Sequence, residues 1–169
     1  TGEELLKGGI TAEPDYYIRN RNKVLLFESK DIFIPAKVKA SGDFNSLKKT
    51  LRTRLYFDIN TKKKRIKPKA VLQLINSIEK LLTDSEFINI DPELKDKHLN
   101  IYPILILHDN MYNSLGFNRL INYWFDSELQ KLKKKGLNIS KIRPLIMIDI
   151  DTLIFTQESL RASMCCLDK

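Results

Sequence analysis

Residues 14–35 read PDYYIRNRNKVLLFESKDIFIP, and the fold turns on this stretch. Aromatic and β-branched residues crowd Asp15–Asn20 and Lys23–Pro35, so both segments read as strands. Between them stand Asn20, Arg21 and Asn22. Asparagine tolerates the left-handed backbone, which suits a tight hairpin turn. A two- or four-residue turn centred between Arg21 and Asn22 pairs residues whose numbers sum to 43, placing Asp15 directly opposite Glu28. Directly opposed side chains share a face with Cβ atoms about 5 Å apart. Strand alternation puts Lys30 on the face of Glu28. A three- or five-residue loop would instead shift the register by one and turn Asp15 away.

On the N-terminal side, Glu3–Lys7 reads as the end of a helix stopped by Gly8 and Gly9. Beyond the hairpin, residues 42–69 are weakly patterned, with Leu47, Leu51 and Leu55 spaced for a short helix. Pro68 fits the first turn of a helix over Lys69–Leu82, whose apolar set is Val71, Leu72, Ile75, Ile78 and Leu82. Ile101–Leu107 is a continuous apolar strand, expected to be buried on both faces. Leu115–Lys135 predicts a long amphipathic helix carrying Leu120, Trp124 and Leu132 and ended by Gly136. Arg143–Ile150 predicts a second buried strand, and Gln157–Ser163 the start of another helix. Strands alternating with helices in this half imply parallel pairing. The expected fold is therefore α/β, a mixed central sheet flanked by helices. With no repeat and no Gly/Pro/Ser-rich linker, residues 1–169 read as one domain.

Composition narrows the function. The chain has 169 residues, 29 Lys and Arg, 21 Asp and Glu, and a net charge of +8. Ten of the cations lie in residues 42–69: Lys48, Lys49, Arg52, Arg54, Lys62, Lys63, Lys64, Arg65, Lys67 and Lys69. Only Asp43 and Asp58 oppose them, so this segment holds the whole excess and the rest of the chain is neutral. A localised excess points to a polyanionic partner, a nucleic acid ahead of an acidic membrane surface. No apolar run approaches the roughly 20 residues of a membrane span. The two cysteines, Cys165 and Cys166, are adjacent, which excludes a disulfide framework and a spaced zinc site. A reducing, cytoplasmic setting follows by default. The chain begins at Thr1 rather than Met, so it reads as a fragment of a longer protein.

Asp15, Glu28 and Lys30 bring two carboxylates and an ammonium to one patch. Two hard oxygen donors suit Mg²⁺ with water and a substrate phosphate oxygen completing its shell. Such a metal acidifies a bound water, and a neighbouring lysine orients that water or offsets developing charge. The plainer reading is a cross-strand salt bridge worth roughly 0–1 kcal/mol if exposed.

Pro14-Asp15, twelve residues, then Glu28-Ser29-Lys30 after the apolar run Val24–Phe27 resembles the signature of the PD-(D/E)xK nuclease superfamily. That superfamily includes restriction endonucleases, Holliday junction resolvases and RecB-type exonuclease domains. The resemblance covers Thr1 to Asp31 directly and implies a restriction-endonuclease-like αβββαβ core. It implies a metal-dependent endo- or exodeoxyribonuclease using Mg²⁺ or Mn²⁺. Asp15 and Glu28 would hold the metal, the Ser29 backbone carbonyl would add a ligand, and Lys30 would assist the attacking water. Many members carry an acidic residue on the helix before the first strand, a place that Glu4 or Glu3 would fill. RecB-like members have a Gln in the helix after the core, matched in position by Gln73. Their Tyr four residues later is replaced here by Ser77. The ten cations of residues 42–69 would hold the backbone of the DNA, with monomer and dimer both left open.

Two further readings stand beside this one. A non-catalytic nucleic-acid-binding module of the same fold would use the basic segment without turnover. Asp149-Ile150-Asp151-Thr152 after an apolar strand resembles the DxDxT motif of HAD-type phosphatases, in which the first Asp is the nucleophile. That motif opens its domain, whereas here only about eighteen residues follow. A strand end with Thr152 or Thr156 capping a helix explains it better. His98 and His108 stand alone in the sequence and read as structural. Tyr56 and Phe57, interleaved with Arg52 and Arg54, suit stacking on unpaired bases, although core packing is the expected fate of both.

Overall fold

A computed structural model describes residues 14–60, 65–83, 91, 99–108, 112 and 116–167. Strands β1 (Tyr16–Asn20) and β2 (Lys23–Lys30) form the expected antiparallel hairpin, paired from Tyr16 with Phe27 to Asn20 with Lys23. Every pair obeys the register inferred from the turn. Arg21 takes a left-handed φ of 53° to close the two-residue connection. Along β2 the alternate residues Val24, Leu26 and Glu28 are buried. The strand ends at Lys30 rather than running to Pro35. Its other neighbour, β5 (Asn100–Leu107), runs out opposite Lys30, so the chain beyond has no ladder partner. Ile32 and Ile34 are nonetheless buried, which is why their alternation looks like strand in the sequence.

The basic stretch is more ordered than its composition suggests. Helix α1 (Ala36–Ala40) precedes α2 (Phe44–Leu51), which Asp43 caps by accepting from the Asn45 and Ser46 amides at 2.9 and 3.2 Å. A π-helical turn over Arg52–Tyr56 follows, then strands β3 (Phe57–Asn60) and β4 (Arg65–Pro68) pair antiparallel as a separate two-stranded ribbon. Helix α3 (Ala70–Thr83) buries Val71, Leu74, Ile75, Ile78 and Leu81, while Leu72 and Leu82 are only half-buried.

The main sheet has the order β1-β2-β5-β6, with β2, β5 and β6 (Ile146–Asp149) parallel. It is mixed and flanked by helices, as expected. Helix α4 (Phe117–Lys134) buries Ile121, Trp124, Phe125, Leu129 and Leu132 and is stopped at Gly136, whose φ is 88°. One continuous core joins Val24, Leu26, Ile101, Leu105 and Leu107 of the sheet to α3 and α4. Fully burying a side chain such as Leu26 or Phe125 contributes about 1.5–3 kcal/mol. Tyr56 lies in this core, stacked on Trp124 at 5.5 Å.

The C-terminal end differs from expectation in two ways. Strand β6 is short and only its last residue is buried, because it forms the sheet edge. Helix α5 (Ile150–Leu167) begins directly after it, ahead of Gln157. Its cap is Asp149, which accepts from the Thr152 amide and hydroxyl, both at 2.7 Å. Neither Thr152 nor Thr156 takes that part. No described helix is long and apolar enough to cross a membrane.

Candidate metal-and-lysine site

The hairpin register carries Asp15 to the end of β1, one step beyond the Tyr16–Phe27 pair. The Asp15 side chain turns into the ladder, where Oδ2 accepts from the Ser29 amide at 2.7 Å. This bond fixes an otherwise exposed carboxylate beside the strand that carries Glu28 and Lys30.

Glu28 is 1% exposed. Its Oε1 lies against the Lys30 ammonium in an ion pair, yet accepts no hydrogen bond of good geometry. Burial raises the Glu28 carboxyl to a pKa of about 7; Lys30 partly offsets this, and the charge of Asp15 adds to it. Lys30 is 24% exposed at its side chain, so its ammonium can reach solvent. The three groups inferred from the hairpin therefore gather, with Glu28 as the buried member.

The structure adds His108, which reads as merely structural in the sequence. The parallel register of β2 with β5 brings Lys30 level with Leu107. Ser29 Oγ consequently lies 3.0 Å from His108 Nε2, on the sheet face opposite Glu28. Pairing the run FESK in parallel with ILILH is the signal that would have found it.

Asp149 lies at the same edge, opposite Leu107, but is occupied as the cap of α5, while Asp151 is exposed. Gln73 is half-buried near the start of α3, with no side-chain hydrogen bond to Asp15, Glu28 or Lys30. Glu3 and Glu4 lie outside the described residues, as do Lys62, Lys63 and Lys64.

The remaining basic residues form an exposed set. Lys48 and Lys49 project from α2, Arg52 and Arg54 from the π turn, and Arg65 and Lys67 from β4. Lys69 is partly buried, and its amide donates to the Tyr56 carbonyl at 3.1 Å. The Arg52 guanidinium sits 4.6 Å over the Phe57 ring. Helix α3 contacts β2 and also the π turn and the ribbon, linking the two regions.

The donor chemistry fits a hard divalent cation in part. Among the described residues no cluster of three or more His, Cys, Asp and Glu side chains forms. The protein thus offers two carboxylates, one of them buried and ion-paired with Lys30, plus the Ser29 carbonyl between Glu28 and Lys30. Mg²⁺ is commonly bound through one or two carboxylates with water and phosphate completing its shell. No family model, curated protein or solved structure matches this chain.

Proposed function

We propose that this chain is a Mg²⁺- or Mn²⁺-dependent nuclease with a restriction-endonuclease-like core, hydrolysing phosphodiester bonds of DNA. The observation that carries this reading is Glu28, a carboxyl buried to 1% exposure whose Oε1 is ion-paired with Lys30 and whose neighbour is the charge of Asp15. A divalent cation held by Asp15, Glu28 and the Ser29 carbonyl would share the pairing of Glu28 with Lys30, acidify water and neutralise charge on the phosphate. Within this chain, the Ser29 amide holds Asp15 in place, and the buried wall of β2 keeps Glu28 from turning to bulk water. Lys30, on the same face and reaching solvent, would position the attacking water and offset negative charge on the phosphate as the water oxygen bonds to phosphorus and the ester P–O bond to the leaving oxygen breaks. The antiparallel hairpin followed by a crossover to a parallel strand on β2 supports the αβββαβ assignment. The helix end expected at Glu3–Lys7 lies outside the described residues.

Cleavage of linear and circular DNA in Mg²⁺ or Mn²⁺ tests this directly. Wild type should cut, and Glu28→Ala or Lys30→Ala should lose about 100-fold or more, the usual loss for one acid–base or orienting group. Equal rates in all three proteins would refute the site. Because Lys30 is neutralised by Glu28 in this arrangement, a second outcome has its own support. Salt-sensitive DNA binding without cleavage in any metal would assign the chain as a non-catalytic nucleic-acid-binding module.

A further inference from the structure

Between α2, the π turn and β3 lies a groove of about 310 Å³ lined by Lys49, Arg52, Thr53, Phe57, Asp58 and Ile59. Its volume sits at the lower end of ligand clefts, which run roughly 300–1,000 Å³. That is room for one nucleotide rather than for a duplex. We infer that this groove holds a single unpaired nucleotide of single-stranded DNA, with its base on the Arg52–Phe57 stack and its phosphate on Lys49. The inference rests on the nucleic-acid reading above and refines it by naming the substrate form.

Four features of the groove carry it. First, Arg52 lies over Phe57 at 4.6 Å, forming a layered platform, and both aromatic rings and guanidinium planes stack on bases. Second, Lys49 stands one helical turn before Thr53, whose hydroxyl donates to the Lys49 carbonyl at 3.0 Å, so cation and hydroxyl edge the same wall. Third, Asp58 accepts from the Ile59 amide through Oδ1 at 2.8 Å, which fixes the carboxylate. An acid at this position repels a phosphate and accepts from the amino edge of a base, so the nucleotide enters with one polarity. Fourth, Ile59 is 58% exposed and pairs across the ribbon with Ile66, 62% exposed, which extends the platform with apolar surface. A site for phosphate alone would need neither the stack nor the acid. The π turn has a part in this: it ends α2 so that Arg52 faces Phe57 while Leu55 and Tyr56 enter the core.

The test is binding measured by fluorescence anisotropy in chelator, where no metal-dependent cleavage occurs. The probes are a labelled DNA strand of mixed sequence, the same strand annealed to its complement, and a strand of abasic sugar–phosphate units. Wild type should prefer the intact single strand over both others. Phe57→Ala should weaken single-strand binding about 5- to 150-fold, the span measured for one base stack, and duplex binding much less. Arg52→Ala, which removes an exposed side chain, should act in the same direction and guards against a misfolded Phe57 variant. Lys133→Ala, on α4 and outside the groove, should change neither. Equal affinity for intact and abasic strands, or equal losses on single strand and duplex, would overturn the groove while leaving a phosphate-binding face intact. No binding to any probe would overturn the nucleic-acid reading itself.

Discussion

Glu28 carries a carboxyl whose pKa stands near 7 instead of 4.5, chiefly because the group is removed from water. The sign of its effect on stability follows from linkage. The folded state holds a proton between pH 4.5 and 7 that the unfolded chain releases, so Glu28 favours folding fully below pH 4.5. That contribution falls as pH rises to 7 and is constant beyond it. A shift of this size corresponds to something on the order of 3 kcal/mol. Glu28→Gln should therefore match wild type at pH 4 in chelator and exceed it in melting temperature at pH 8. Parallel melting-temperature profiles for the two proteins would show that the carboxyl is not buried as described. Added Mg²⁺ should narrow the gap at pH 8 by binding only the wild-type folded state. Asp15, Glu28 and Lys30 were legible because turn and alternation fix which side chains share a face. His108 was not, since its closeness to Ser29 depends on the pairing of strands some seventy residues apart, which no local pattern encodes.

The turn that sets this register is also where the hairpin is under strain. Arg21 adopts a φ of 53°, a region costly for residues with a Cβ and open to glycine. Arg21→Gly should raise the stability of the protein by about 0.5–1 kcal/mol and leave metal-dependent activity unchanged, because the turn lies at the far end of β1 and β2 from Asp15 and Lys30. A lower denaturation midpoint in urea would mean that the left-handed turn is not the conformation in solution. The hairpin was readable from the sequence because its signals are local, β-branched strands with a two-residue period, although the left-handed turn residue is Arg21 and neither asparagine. Its end was not. Ile32 and Ile34 continue the alternation, and β2 stops at Lys30 only because β5 stops beside it. The same limit applies to residues 42–69. Their cations mask a helix cap at Asp43 and a ribbon that pairs Asp58 with Lys67. At the other end, the sequence favours a strand end with Thr152 or Thr156 as the helix cap over a nucleophile at Asp149, and the bonds to Thr152 make Asp149 itself the cap.

The charge excess and the proposed reaction centre lie in separate parts of the chain. The excess of eight positive charges resides wholly in residues 42–69, while Asp15, Glu28 and Lys30 belong to the neutral remainder. Helix α3 touches both parts, so a polyanion lying on α2 and the ribbon is held by a body that is continuous with β2. This division predicts how the two sets of residues differ in kinetics. Cations that touch only phosphates bind substrate and transition state alike, and removing them raises KM with little effect on kcat. They also release counterions, so the slope of log affinity against log salt should shrink by about 1 for each duplex phosphate left without its cation. Replacing Lys48, Arg54, Arg65 and Lys67 with alanine should flatten that slope by up to about 4 on duplex DNA and raise KM, with kcat held within a few-fold. Lys30→Ala should do the reverse, lowering kcat and leaving the salt slope almost unchanged. If the quadruple variant lost kcat as severely as Lys30→Ala, the basic face would be part of the reaction centre rather than the surface that delivers DNA to it.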